Sequence, residues 1–199
     1  MAPLLAHPSP PYDFAKSSLP LILQSGPWNR LHSRHHSALH FGKAAYRFSA
    51  HDKRFGVLYV GDDEHVAFIE TFGHTTGIDV VTRVELEATE MSEVETSRPL
   101  RLVNLTDGTS LVRLGADARL WSGDHAIAQV WASAIYAHPD SVDGIYYPSR
   151  RDPSRRAAAI FDRAQLVISA RPLGSLLGID GGRLLAKILD EYGFGLIET

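Results

Sequence analysis

The spacing of apolar positions changes period several times along the chain, and each change predicts an element. AAYRFSA (44–50) alternates and predicts a short strand with Arg47 inside it, between Tyr46 and Phe48; VLYV (57–60) predicts a second. Asp62 and Asp63 then offer N-caps to a helix over 64–72, which Gly73 can close. VVTRVELEA (80–88) sets Val84, Leu86 and Ala88 on one face, the period of a half-buried strand. PLRLVNL (99–105) repeats that period through Leu100 and Leu102, and Asp107-Gly108 supplies a turn. The clearest helical pattern covers 124–137, with Ile127, Val130, Trp131, Ala134 and Ile135 on one stripe and Ser122 or Asp124 as its cap. GIYYPS (144–149) and AAAIF (157–161) predict two more strands, and 183–193 a closing helix with Leu184, Leu185, Ile188 and Tyr192 inward.

The order of these elements, with no internal repeat and no second compositional regime, predicts one α+β domain: a compact mixed β-sheet core flanked by helices. Residues 1–30 are proline-rich and aperiodic, so 1–39 is expected to form an N-terminal arm and 40–199 the domain. A chain of 199 residues has room for a full core, burying roughly 70% of the surface exposed when unfolded. Hydrophobic residues at 44% and charged residues at 22% are ordinary for a globular protein and exclude wholesale disorder.

Charge and cysteine content narrow the chemistry. Lys and Arg number 20 against 23 Asp and Glu, a net charge of -3, so no general attraction to nucleic acid or anionic membranes is expected. The absence of cysteine excludes disulfides, thiolate metal sites and a thiol nucleophile. The first residues do not follow the pattern of a secretory signal, and no run of about 18 apolar residues occurs, so a cytoplasmic location is expected. The dinucleotide, P-loop, HExxH and GxSxG motifs do not occur; GIDGG (178–182) reads as a loop and cap before the last helix. His32, His36 and His40 are four apart and would share a helical face at zinc-ligand spacing. With no acidic residue in that stretch, the expectation is a solvated or partly packed polar segment and no metal.

One set of residues combines charge with apolar surroundings. Arg47 sits between aromatics, Arg54 precedes the run containing Tyr59, Glu70 lies within AFIETF, and Ser149 follows GIYYP. A lone carboxylate among apolar neighbours costs several kcal/mol unless it is paired or functional. From spacing alone, two readings stay open: a buried Arg–Glu pair with a turn-capping serine, or a reaction site. Arg150, Arg151, Arg155 and Arg156 add a basic loop that is either solvated or receives a phosphate or an acidic partner.

In this order, AAYRFSA, RFGVLYVGDDEHVAFIETFG and DGIYYPSRR followed by AAAIFD, the segments resemble the RES domain, a family whose members include toxins of Xre–RES toxin–antitoxin pairs. The resemblance covers about residues 40–170 and includes the eleven-residue step from Tyr59 to Glu70. It implies a fold like that of ADP-ribosyltransferases and an activity that breaks the nicotinamide–ribose bond of NAD, as a phosphorylase or a glycohydrolase. Alternatives within the resemblance are a protein ADP-ribosyltransferase and a non-catalytic module of the same fold that binds a nucleotide or a partner. Matched by position, the family's functional residues are Arg47, Arg54, Tyr59, Glu70 and Ser149. Two departures stand out: the step from Arg47 to Arg54 is shorter than the family loop, and Arg54-Phe55-Gly56 stands in place of an Arg-Trp-Asn-like sequence.

On this reading NAD is substrate, inorganic phosphate a candidate co-substrate, and no cofactor or metal is required. Arg47 and Arg54 would grip the pyrophosphate through guanidinium forks, and Tyr59 would offer a ring face to nicotinamide. Glu70 would stabilise the developing oxocarbenium charge, and Ser149 would orient ribose or acceptor by hydrogen bonding. The partner implied is a cognate Xre-type antitoxin, with direct nucleic-acid binding not expected and a homodimer left open.

Overall fold

The strands Gly144–Pro148 and Arg156–Phe161 are buried along nearly their whole length, and both faces of the sheet they belong to are covered. The computed structural model describes residues 8–73 and 77–198, so the first seven residues of the expected arm lie outside it. In chain order the elements are β1 (Leu21–Gln24), β2 (Trp28–Ser33), β3 (Val57–Gly61), α1 (Glu64–Phe72), β4 (Val80–Thr82), α2 (Arg83–Glu87), β5 (Thr89–Thr96) and β6 (Leu100–Asn104). There follow α3 (Gly108–Leu114), α4 (Arg119–Ser122), α5 (His125–Ala137), β7 (Gly144–Pro148), β8 (Arg156–Phe161), β9 (Ile168–Gly174), α6 (Arg183–Tyr192) and β10 (Gly195–Ile197).

Eight strands form one mixed sheet in the order β1-β6-β7-β8-β3-β2-β5-β9, and β10 pairs in parallel with β4 in a small second sheet. Within the large sheet β6 and β7 run parallel, and the other pairs are antiparallel. The strand period of two sorts side chains between two cores. Val57, Ala157, Ala159 and Phe161 join α1, α5 and α6 on one face. Leu58, Val60, Ala158 and Ile160 turn to the other, where Leu100 and Leu102 of β6 share a cluster with Ile168 of β9. β5 ends at Thr96 and β6 begins at Leu100, yet the two lie far apart in the sheet order, so the sheet curls onto itself. This is the α+β domain expected, with α1, α5 and α6 packed on one face of the sheet.

Several local expectations need correction. Trp28–Ser33 is an inner strand paired with β3 and β5, and Leu21–Gln24 pairs with β6, so among the described residues the sheet begins at Leu21 and the domain does not start at residue 40. Residues 44–50 form turns and not a strand. Past Val80–Thr82 the chain becomes helical, because Thr82 and Glu85 close a capping box that overrides the alternation; Leu86 is buried and Val84 exposed. Asp107-Gly108 starts a helix, with Asp107 accepting from the Ser110 amide. On α5 the stripe is rotated: Ala128, Trp131, Ala132 and Ile135 are inward, whereas Val130 is exposed. In α6, Leu185 and Ile188 are buried and Leu184 and Tyr192 are partly so. The GIDGG stretch is a cap: Asp180, Gly181 and Gly182 have positive φ, which glycine accepts without strain, and they lead into α6.

A cationic cavity around a held carboxylate

Helix α1 sets the position of Glu70. Asp63 caps it through a 2.8 Å bond from the Val66 amide, and Gly73 ends it. The helix leaves β3 in a tight turn: a Cβ on Gly61 would come within 2.4 Å of Val66 Cγ1 and 2.9 Å of the Ala67 amide nitrogen. Glu70 therefore emerges on the helix-covered face, half-buried, into an open cavity of about 520 Å³. Such a volume lies within the range of small-ligand sites.

The segment carrying Arg47 is held from outside itself. Tyr59 Oη accepts from the Phe48 amide at 2.8 Å, and Gln129 Nε2 of α5 donates to the Tyr46 carbonyl at 3.0 Å. The Phe48 ring meets Tyr147 edge-on at 4.8 Å, and Arg47 Nη1 donates to the Gly123 carbonyl at 2.7 Å. The Phe48 amide and the Tyr46 carbonyl, which a strand would pair with a neighbour, are met here by side chains, and the Tyr46 and Ser49 amides bond within the turn. Burial, then the nearby Arg150 guanidinium, lower the Arg47 pKa. Burial likewise drives the Tyr59 and Tyr147 phenols above their ordinary range, so both remain neutral.

Of the residues singled out in the sequence, Arg47, Tyr59 and Glu70 line this one cavity. Ser149 is different in place. It is fully buried, donates from Oγ to Glu70 Oε1 at 2.6 Å, and accepts from the Arg151 and Asp152 amides at 3.3 and 3.2 Å. The two amides occupy the oxygen's acceptor capacity, which leaves the hydroxyl proton for the carboxylate. Ser149 thus holds Glu70 from behind, and the expected direct contact with ribose or acceptor does not fit its burial. Arg54 is also displaced: it is exposed, 3.5 Å from Asp52, and absent from the cavity wall.

The cavity contains a cation that the sequence reading left in the arm. Arg30 of β2 lines the wall, and its guanidinium donates twice to the His40 carbonyl, at 3.2 and 3.1 Å. Burial pushes its pKa down to about 10. The only signal that could have marked it is the apolar spacing of Trp28, Leu31 and their neighbours, obscured by flanking prolines. Arg150 and Arg151 line the cavity as well. The three histidines share no helix. His32 is buried on β2, where Nδ1 faces the Ser33 carbonyl and Nε2 the Ser92 hydroxyl at 3.0 Å; His36 and His40 stack at 4.7 Å by the cavity. Among the described residues no group of three or more His, Asp or Glu is placed to hold a metal ion, and no helix is long and apolar enough to cross a membrane.

A curled mixed sheet with a cationic cavity and a serine-held glutamate on its helical face defines a small α+β domain suited to an anionic ligand. Residues 27–176 match the family model of the RES domain, and the chain belongs to that family. A relative from Sinorhizobium fredii (strain NBRC 101917 / NGR234), named "Probable toxin y4kH", is 32% identical over 114 residues, 57% of this chain and 87% of its own length. The fold is similar to one in the crystal structure of the M. tuberculosis MbcT–MbcA toxin–antitoxin complex, with a TM-score of 0.59 and 18% identity over 77% of this chain and 86% of that one.

Proposed function

We propose that this protein is the toxin of a toxin–antitoxin pair and that it cleaves the nicotinamide–ribose bond of NAD, with phosphate or water as acceptor. Family membership and the name of its S. fredii relative support the toxin part of the reading. The observation that carries the chemistry is the 2.6 Å bond that fixes the Glu70 carboxylate in a cavity whose walls present Arg47 and Arg30. An anionic dinucleotide finds guanidinium forks there for its pyrophosphate, and Arg30 takes the place that Arg54 was expected to fill.

As the C1′–N bond breaks, its electron pair leaves with nicotinamide, and positive charge spreads over C1′ and the ring oxygen. Glu70, already oriented, stabilises that charge without reorganising. An oxygen of the acceptor then forms the new bond to C1′: a phosphate anion adds as it stands, whereas water releases a proton to solvent as its oxygen bonds. No metal is required, since the leaving pyridinium starts cationic and departs neutral. An antitoxin would restrain the enzyme by laying a carboxylate or polar tail against the cavity arginines, where the pyrophosphate would sit.

Expression in a bacterial host tests both halves. The chain alone should arrest growth and deplete NAD, whereas Glu70→Gln, or co-expression with the antitoxin, should not. Normal growth with unchanged NAD despite good soluble expression would favour the non-catalytic binding module.

A further inference from the structure

One ion-pair cluster outside the cavity touches both elements that create the Ser149–Glu70 bond. Arg155 Nη1 pairs with Asp63, the N-cap of α1, and its Nε donates to Asp152 Oδ2 at 2.9 Å, three residues past Ser149. Its Nη2 donates to Glu191 Oε1 of α6 at 2.5 Å. Helix α6 adds two more contacts: Tyr192 Oη donates to Asp152 Oδ2 at 2.9 Å, and Glu191 Oε2 lies 2.8 Å from Nδ1 of the buried His65 on α1. The loop itself is closed by Ser149 N to Arg155 O at 3.0 Å and Arg155 N to Asp152 O at 2.9 Å. Arg155 and Asp152 are 24% and 16% exposed at their side chains, so their pair is sheltered, while Glu191 and Asp63 reach it from the rim at 38% and 34% exposure.

We infer that α6, which lies beyond the family-matched residues, is a latch on the reaction site: Glu191 and Tyr192, through Arg155 and Asp152, lock the Ser149 loop against α1 and so hold the serine proton on Glu70. The three are positioning residues. The loop needs such support because its key bonds, from the Arg151 and Asp152 amides to Ser149 Oγ, are long at 3.3 and 3.2 Å and would slacken readily. A planar guanidinium can face Asp63, Asp152 and Glu191 at once, which a lysine ammonium cannot do with the same geometry.

The inference rests on the NAD-cleaving reading for its kinetic arm, and a second arm is independent of catalysis. In the double variant Glu191→Gln/Tyr192→Phe, amide hydrogen exchange measured by mass spectrometry should speed up about tenfold in peptides spanning 149–155 and remain unchanged in β3 and α5. Nicotinamide release should fall about tenfold in kcat with KM within about twofold, the pattern of a lost transition-state contact. In a Ser149→Ala background the same two substitutions should have almost no further effect on kcat, because the contact they support is already gone. Arg155→Lys should resemble the double variant. Unchanged exchange in 149–155, or kcat losses that simply multiply in the Ser149→Ala background, would overturn the latch. Absence of nicotinamide release from the unaltered protein would instead reject the NAD reading and leave the exchange arm to decide the latch.

Discussion

Glu70 and Arg47 face the same cavity, yet the two segments that deliver them are built in opposite ways. Helix α1 is specified within itself: an aspartate cap, a glycine end, and Val66, Ala67, Phe68 and Ile69 buried in succession. The 44–50 turn has little of its own, and its shape comes from Tyr59, Gln129, Tyr147 and Gly123, up to 99 residues away in the chain. A locally specified helix fixes where its carboxylate emerges, and the Ser149 hydroxyl then sets how that carboxylate points. A tethered turn places its charge only when the surrounding packing is intact, so substitutions around it should register as changes in binding before they register as changes in chemistry.

The sharpest test of that difference is Arg47→Ala. On the proposed reading Arg47 binds the pyrophosphate, so its removal should raise KM for NAD by about 10²-fold and lower kcat much less, as expected for a charge-assisted contact used in ground and transition states alike. Equal losses in kcat with an unchanged KM would move Arg47 from binding to chemistry. Next in size is Tyr59→Phe, which leaves the Phe48 amide without its acceptor. A buried donor left unpaired costs about 1–3 kcal/mol, visible as a lower urea midpoint at an unchanged slope, accompanied by a raised KM. Retained stability with altered kcat would show that the phenol acts on substrate and not on the turn. The smallest effect belongs to Arg54→Ala, where stability and kinetics should both stay within about twofold of the parent, because an exposed pair with Asp52 contributes little. A large rise in KM there would restore Arg54 to the site.

The same contrast explains what could be read from the sequence. The caps at Asp63, Asp124 and Gly73 and the apolar runs of β3, β7 and β8 were legible because their signals lie within a few residues. Tyr59 and Glu70 were legible for the same reason, since each sits in such an element. The Arg47 turn read as a strand because its alternation is real, while the partners that bend it are distant. Strand β2 is hidden among prolines, so the sequence points to Arg54 where the cavity wall presents Arg30. The serine was found, but not its place: nothing in GIYYPS indicates that two downstream amides turn its hydroxyl toward Glu70.

The central claim is that a carboxylate fixed by a buried serine drives loss of nicotinamide from NAD. It is tested most directly by incubating the purified protein with NAD, with and without phosphate, and following free nicotinamide for the parent chain and for Glu70→Gln. The account predicts turnover by the parent chain. It predicts a loss of about 10²–10³ in kcat for the variant, about 2.7–4 kcal/mol, with KM little changed. Near-normal turnover by a folded Glu70→Gln protein would contradict it.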